Sequence, residues 1–447
     1  MTWKELQLTG WDRSSRASVR ACRPERWSSA VQSVASRPEG GLIPFGGGRS
    51  YGDAALNDGG HAMLTERLDR VLAFDAAKGE LVCEAGATIA ALHRWLVPKG
   101  FLLPSIPGTG FATIGGAVAN DVHGKNHDRH GGFGDHVVWI DLLLADGSIR
   151  RVAAADDDDL FAATIGGLGL TGMILAVCIG LLPVASNAVD LRERRARDLD
   201  EFFELLEDAR RTATYSVGWI DALAQGGNLG RGILETAEVA ADGVPAGSGR
   251  PRKIPFDLPG AVLNRWSIAA FNALYLRRVS ATGRSRRVEM SRFFHPLDSI
   301  HEWNRMYGRA GFHQFQCVIP DAEARAGIET LLATASAARA GSFLAVLKTL
   351  GAAGKGHLSF PLPGYTLALD FPMRAGMDDL MTRLEAITLD HGGRIYLAKD
   401  SCLSAKGFAT MYPKLKAFRE VLQQVDPDGM FISDLARRLQ IREGGGK

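Results

Sequence analysis

Two glycine runs decide how this chain reads: PFGGGRSYGD, Pro44–Asp53, and PGTGFATIGGAVANDVHGKNHDRHGGFGDH, Pro107–His136. Glycine clusters mark backbone that turns with positive φ or comes close to another group. Neither run is a common phosphate loop. No Gly-Lys-Ser/Thr follows the first, and Tyr51 stands where a GxGxxG register needs its third glycine. Consecutive N–H groups from Gly46 to Gly52 can still line a nest for an anion, with Arg49 and Ser50 as further donors. Alone, such a run reads more readily as a tight surface turn. The second run repeats the close backbone approach and adds the hydroxyls of Thr109 and Thr113. Two such donor loops in one domain point to a large phosphate-bearing ligand held from both sides.

The chain has 447 residues, which predicts two or more domains with sizeable cores. Its formal charge of +2 gives no sign of a nucleic-acid binder. Cys22, Cys83, Cys178, Cys317 and Cys402 are widely spaced, odd in number and form no CxxC, which reads as reduced thiols rather than disulfides or a zinc site. The N-terminus shows no apolar leader segment. Residues 161–189 carry no charge and are long enough to span a bilayer. Their glycines, proline and β-branched texture predict a buried glycine-rich turn and a core strand instead.

Apolar spacing and turn signals organise the rest. GGLIPFGGG reads as a strand running into a loop, and TIAALHRWLVPKG as a helix capped by Thr88 and ended at Gly100. VVWIDLLLADGSIRRV is a strand, an Asp-Gly turn and a strand. LRERRARDLDEFFELLEDARRTA reads as one charged amphipathic helix, and residues 241–260 as a long mobile loop. FHQFQCVIP, SFLAVLKTLG and GYTLALDFP predict a second sheet, and RIYLAKDS a strand bearing Lys399.

At this point the chain resembles the vanillyl-alcohol-oxidase class of FAD-dependent oxidoreductases and, within it, the decaprenylphosphoryl-β-D-ribose 2'-oxidase family. GGGRSYGD, the second glycine run, DLFAATIGGLGLTGMI, FFHPLDSIHEWNRMYGRAGFHQFQCVIP, LSFPLPGYTLALDFP and GGRIYLAKDS carry the resemblance, with the tail motifs MYP, VDP and SDLARRL. It covers nearly the whole chain. It implies an α+β, two-domain flavoprotein. Residues 1–186 and 394–447 would form the FAD-binding domain, and residues 187–393 a substrate domain with an antiparallel sheet flanked by helices. The implied flavin contacts are Phe45, Gly46, Gly47, Gly48, Arg49, Ser50, Tyr51, Gly52, Asp53, Ala54, Gly108, Thr109, Thr113, Gly116, Asn120, Asp121, Val122, His123, Ile174 and Tyr396. Some relatives attach the flavin through a histidine where Arg49 stands here. Arginine cannot form that bond, so FAD is expected to be held non-covalently.

His123, His127 and His130 can be read as metal ligands, as a structural cluster or as part of a flavin site. No metal is expected, and the resemblance places His123 beside flavin and substrate. Lys399 is either a strand-end lysine in solvent or a charge set against the flavin and the reacting hydroxyl. The resemblance favours the second, making Lys399 and His123 the catalytic candidates. Gln314, Gln316 and Lys348 alternate with apolar neighbours and can read sugar hydroxyls or a phosphate. Lys125, Trp219, Arg305 and Tyr51 complete the expected substrate site. The family commonly has a cysteine where Ala368 stands, so no thiol chemistry is expected there.

The implied reaction is oxidation of the 2'-hydroxyl of a polyprenylphosphoryl-β-D-ribofuranose to the ketone, with a separate nicotinamide-dependent keto-reductase completing epimerisation. Residues 241–276 offer a basic and apolar contact to a membrane surface, and the location is expected to be cytoplasmic or peripheral at the membrane. An FAD enzyme for a soluble alditol or aldonolactone, and a flavin- or glycan-binding partner without turnover, remain alternatives.

Overall fold

In a computed structural model, described for residues 2–156, 159–245, 252–260, 262–338 and 343–442, both glycine runs and the C-terminal tail meet beside one large sheet. The N-terminal part carries two smaller sheets. In the first, Arg16–Cys22 pairs antiparallel with Lys4–Thr9 and parallel with His61–Leu64, which in turn pairs with Leu42–Phe45. The second runs Val71–Asp75, Glu80–Glu84, Met173–Gly180, Val137–Leu143, Ile149–Ala153, all antiparallel. The uncharged run behaves as read: a short helix, Asp159–Thr164, a glycine turn, then Met173–Gly180, buried at every position but its last. Among the described residues, no helix is long and apolar enough to cross a membrane. Thr88 caps Ile89–Leu96 by accepting from the Ala91 N–H, and Gly100 ends that segment with φ of 80°.

The large sheet has eight strands: β1 (Ala188–Ala196), β2 (Tyr215–Ile220), β3 (Gly232–Val239), β4 (Arg284–Glu289), β5 (Phe312–Pro320), β6 (Ala345–Leu350), β7 (Gly364–Pro372) and β8 (Arg394–Ile395). Their order is β4-β1-β3-β2-β6-β7-β5-β8, antiparallel at every printed pairing. Cys317, Leu347 and Leu367 lie in register on one face and join the main core with α1 (Leu199–Thr212), α2 (Ala324–Ala337) and α3 (Met377–Asp390). Side chains alternate along a strand, so Gln316, Ala368, Val346 and Trp219, also in register, occupy the other face. That face looks toward the glycine runs.

Residues 191–196 are not helical. LRERRA belongs to β1, where Leu191 and Glu193 point inward and Arg192 outward, and the helix begins only at Leu199, capped by Asp198. Charge density had masked the two-residue alternation. The 241–260 loop lies partly outside the described residues, at 246–251. Its continuation is ordered, with a helix at Arg265–Arg277 capped by Asn264.

The tail returns to the N-terminal part. Leu42 donates to the Met430 carbonyl at 2.7 Å and accepts from Ile432 at 3.1 Å, and Phe431 is buried against Leu42, Met63 and Leu175.

Candidate functional site

The first glycine run leaves Leu42–Phe45 and folds against the second. A Cβ on Gly46 would sit 2.4 Å from Thr113 Oγ1, and one on Gly47 2.3 Å from the Phe111 carbonyl, so only glycine permits this contact. Gly52, with φ of 54°, passes under the Asp400 carbonyl in the same way. By contrast, a Cβ on Gly108 meets nothing. Gly47 and Gly108 are the exposed glycines of the two runs, which leaves their backbone open to a ligand in the cleft between the runs.

Several expected ligand contacts already have partners within the protein. Thr113 caps the turn at Ile114–Ala119 by accepting from Gly116 N–H. Thr109 donates to Asp298, which also accepts from Gly110 N–H. Asp121, held at φ of 40°, accepts from Gly134 N–H and Ser359 Oγ, and its burial lifts the carboxyl to about 6. Asp53 is paired with Arg438. Val122 lends its carbonyl to Ser105 and Phe133. These residues shape the loops rather than present polar atoms to a ligand. Phe45 ends its strand, Ile174 lies near the start of Met173–Gly180, and Ser50 and Ala54 flank the turn, with the Ser50 carbonyl accepting from Trp11 N–H.

Other groups are left open. Among the described residues, Arg49 Nε, Asn120 Oδ1 and His123 Nδ1 are buried without a hydrogen-bond partner. An unpaired buried polar group is costly, so a set of them beside one cleft calls for a ligand. Arg49 is stacked between Trp11 and Phe111, at 4.1 and 4.7 Å from the ring centroids.

On the sheet face, Gln316 Nε2 lies 3.1 Å from His123 Nε2 and 3.3 Å from Thr366 Oγ1. With the amide donating, His123 Nε2 is the acceptor and the ring proton sits on the unpartnered Nδ1. Burial, with Lys348 nearby, holds His123 well below the usual histidine range, so the ring is neutral. Phe360 and Tyr396 pack on it at 5.4 and 5.2 Å, and the Tyr396 hydroxyl donates to the Asn120 carbonyl.

Lys399 does not lie on a strand. It ends a single turn, Leu397–Lys399, because β8 stops at Ile395. The turn presents its ammonium 3.6 Å above the Tyr51 ring, while Tyr51 N–H donates to the Ala398 carbonyl. Burial lowers Lys399 to about 8 against the opposing pull of Asp370, and lowers Lys348 to about 7. Both lysines keep part of their surface exposed although protein surrounds them. Lys348 donates to the Gly124 carbonyl at 3.2 Å, and Lys125 to the Phe293 carbonyl. Asp370, lifted by burial to about 7, accepts from Gln314 at 2.5 Å and from Tyr307 at 3.1 Å.

Tyr51, His123, Gln314, Gln316, Lys348 and Lys399 therefore converge. Trp219 shares the face but lies about 14 Å from Gln316, three strand spacings away, where its indole donates to the Phe343 carbonyl. Arg305 does not join the cluster. It pairs with Glu302 and holds the carbonyls of Ile254 and Pro255, because it belongs to a separate turn, Trp303–Tyr307. His127 accepts from Gly351 N–H, and the His130 carbonyl meets His136, so the three histidines do not converge. Asp370 was missed, although its alternation with Ala368 in GYTLALDFP places it on the Gln316 face. Arg438 carries no comparable signal.

Comparison with known proteins agrees with this geometry. An FAD binding domain family matches residues 19–153, and the D-arabinono-1,4-lactone oxidase family matches residues 366–439. The chain is 37% identical to decaprenylphosphoryl-beta-D-ribose oxidase of Mycolicibacterium smegmatis over 97% of both chains. It belongs to that oxidase's family. Over 40% of its length it is also 28% identical to L-gulonolactone oxidase of Mus musculus, covering 41% of that protein. A similar stretch is 28% identical to the mitochondrial D-2-hydroxyglutarate dehydrogenase of Bos taurus, covering 40% of this chain and 35% of the relative. Family membership makes the fold a two-domain α+β flavoprotein of the vanillyl-alcohol-oxidase type, with FAD as cofactor. The residues fit that group: a glycine-lined cleft, open at Gly47 and Gly108, with unpaired polar atoms on Arg49, Asn120 and His123 at its wall.

Proposed function

We propose that this protein oxidises the 2'-hydroxyl of a polyprenylphosphoryl-β-D-ribofuranose to the ketone. Family membership over 97% of the chain supports the reaction, and the observation that carries the substrate class is the pair of ammonium groups on Lys348 and Lys399 at one polar sheet face, with Lys125 near enough to act on Lys348. Burial depresses all three, to about 7, 8 and 8. Such cationic sites are costly unless an anion arrives, and a sugar phosphate supplies one. A neutral aldonolactone, which the lactone-oxidase match keeps in view, would bring no charge beyond the partial offset that Asp370, Asp128 and Glu235 already give them.

In this reading residues 1–186 and 394–447 hold the flavin, and residues 187–393 hold the substrate. FAD, when bound, supplies the hydride acceptor. The protein does the rest. Gln316 fixes the His123 ring so that its Nδ1–H faces the cleft. Gln314 and Asp370 accept and orient sugar hydroxyls. The Lys399 ammonium stabilises negative charge developing on the reacting oxygen. Lys348 and Lys125 take the phosphate. Trp219, Tyr275, Phe271 and Phe343 form an aromatic path away from Val346, suited to the lipid tail.

That path ends at the helix Arg265–Arg277. Trp266 and Leu274 there are 71% and 68% exposed, with Phe256 at 63% close in sequence, and Arg265 and Arg277 at the helix ends supply positive charge. This surface is assigned to an anionic bilayer. The ketone product requires a second, hydride-donating reductase to complete the epimerisation.

Mass spectrometry of products from a panel of polyprenylphosphoryl pentoses and free aldonolactones tests the assignment. A two-hydrogen loss confined to the phosphoribose lipids is expected. Turnover of the free lactones alone would overturn it.

A further inference from the structure

A buried carboxylate lies close to Lys399 without belonging to the substrate sheet. Asp12 sits in the short loop that joins Lys4–Thr9 to Arg16–Cys22, and it is fully buried. The loop is pressed onto the first glycine run. A Cβ on Gly10 would stand 2.2 Å from the Gly52 carbonyl oxygen and 2.9 Å from Asp12 Oδ1, so only glycine allows this approach. Trp11 N–H donates to the Ser50 carbonyl at 2.9 Å, and the Asp12 carbonyl accepts from Phe312 N–H at 3.0 Å. Phe312 meets Tyr51 edge-on at 5.6 Å, and the Lys399 ammonium stands over that same Tyr51 ring.

A buried acid is costly unless donors or a cation answer it. The Ser14 hydroxyl donates to Asp12 Oδ2 at 2.6 Å, and the Ser14 N–H lies 3.3 Å from Oδ1. Burial raises the Asp12 carboxyl, while Ser14 and the Gly52 N–H favour its charged form. Among the described residues Asp12 forms no ion pair. Asp370 and Asp12 are the two carboxylates whose charge attracts the Lys399 ammonium. Asp370 is lifted by burial to about 7, so its charge fades through neutral pH, and it also holds Gln314 and Tyr307. The other titratable groups nearby offer Lys399 no anion. Tyr51 is kept neutral by its burial, His123 is neutral and Lys348 is a like charge. Asp53, which faces Asp12, is paired with Arg438.

We propose that Asp12 is a positioning residue for the reaction: its carboxylate, packed beside the Tyr51–Lys399 contact, supplies a fixed negative charge that holds the Lys399 ammonium at the cleft. The benefit to the reaction rests on the role proposed above for Lys399. Without this anion the charged form of the lysine is less favoured, so the ammonium is lost at lower pH.

The test reads the protonation of Lys399 in two ways on the FAD-loaded protein. One is the basic limb of anaerobic flavin reduction. The other is competitive acylation of Lys399 across pH, read by peptide mass spectrometry without turnover. Asp12→Asn keeps the shape and loses the charge, so both midpoints should fall by about one pH unit with FAD content retained. Ser14→Ala removes the hydroxyl that favours the carboxylate and should move both midpoints the same way by less. A purely structural role would lower FAD content and leave both midpoints in place. The proposal fails if the acylation midpoint of FAD-loaded Asp12→Asn equals that of wild type, or, should that variant not fold, if that of Ser14→Ala does. A lowered acylation midpoint with an unmoved rate limb would instead overturn the role given to Lys399 itself.

Discussion

Arg438 grips Asp53 through two parallel hydrogen bonds, Nε to Oδ2 and Nη2 to Oδ1, each 2.8 Å long. The same guanidinium donates to Asp400 at 2.8 Å and to the Leu403 carbonyl. One side chain from the last helix thus ties the end of the first glycine run to the segment that carries Lys399. Removing one partner of such a pair strands the others, at about 3–5 kcal/mol for a fully buried case. Arg438→Ala is expected to cost about 3 kcal/mol, near the low end because the pair is partly exposed, and to weaken FAD retention. Denaturant unfolding and flavin content after gel filtration check both. Unchanged flavin content would show that the two segments do not depend on this tie.

Lys399→Ala should slow flavin reduction about 10²–10³-fold, the loss of roughly 2.7–4 kcal/mol expected for one preorganised donor. Lys399→Arg should recover part of it, since charge is kept and shape is not. FAD content should fall less than rate, because the glycine runs hold the cofactor independently. The folded pKa of about 8 makes the ammonium present below that pH and lost as pH rises through it. The wild-type rate should therefore decline above about pH 8, and Lys399→Arg should not show that limb. Anaerobic stopped-flow reduction across pH reads all of this.

Lys348 offers a different titration. Burial holds it at about 7, so near neutral pH it is largely split between charged and neutral forms. A phosphate beside it favours the charged form and raises that value. Binding of the phosphoribose lipid between about pH 7 and 8 should take up protons. Calorimetry in two buffers of different ionisation enthalpy measures the uptake. Lys348→Met should reduce it, and an equal uptake in that variant would remove Lys348 from the phosphate site.

Arg49 stacks between Trp11 and Phe111, and arginine cannot form the bond by which a histidine links flavin. Acid precipitation should release intact FAD and leave a colourless pellet. Flavin remaining with the pellet would mean a covalent link elsewhere.

The exposed apolar helix can be tested without catalysis. Trp266→Ala with Leu274→Ala should cut sedimentation with phosphatidylglycerol vesicles about tenfold or more, and high salt should weaken the wild-type interaction. Equal binding to neutral vesicles would remove the role given to Arg265 and Arg277.

Much of this architecture was legible before any coordinates. Thr88, Gly100 and the Asp-Gly turn announce their elements because caps and tight turns are local chemistry. Gln314 and Gln316 show their shared face because strand alternation is local too. The charged alternation of β1 was hidden because an arginine-rich strand and an amphipathic helix look alike over a few residues. Lys399 was misplaced because β8 is only two residues long. The Arg438 tie was not legible, since contacts between distant segments leave no periodic trace.

The return of residues 430–432 beside Leu42 has a consequence for biosynthesis. The strand pairing, the Arg438 tie and the Lys399 turn all come from segments synthesised after both glycine runs. Until they are made, Leu42 can pair only with the His61–Leu64 side of its sheet. A chain that ended before Met430 would lack the Leu42 N–H···Met430 and Ile432 N–H···Leu42 hydrogen bonds and the Phe431 side chain that covers Leu42, Met63 and Leu175.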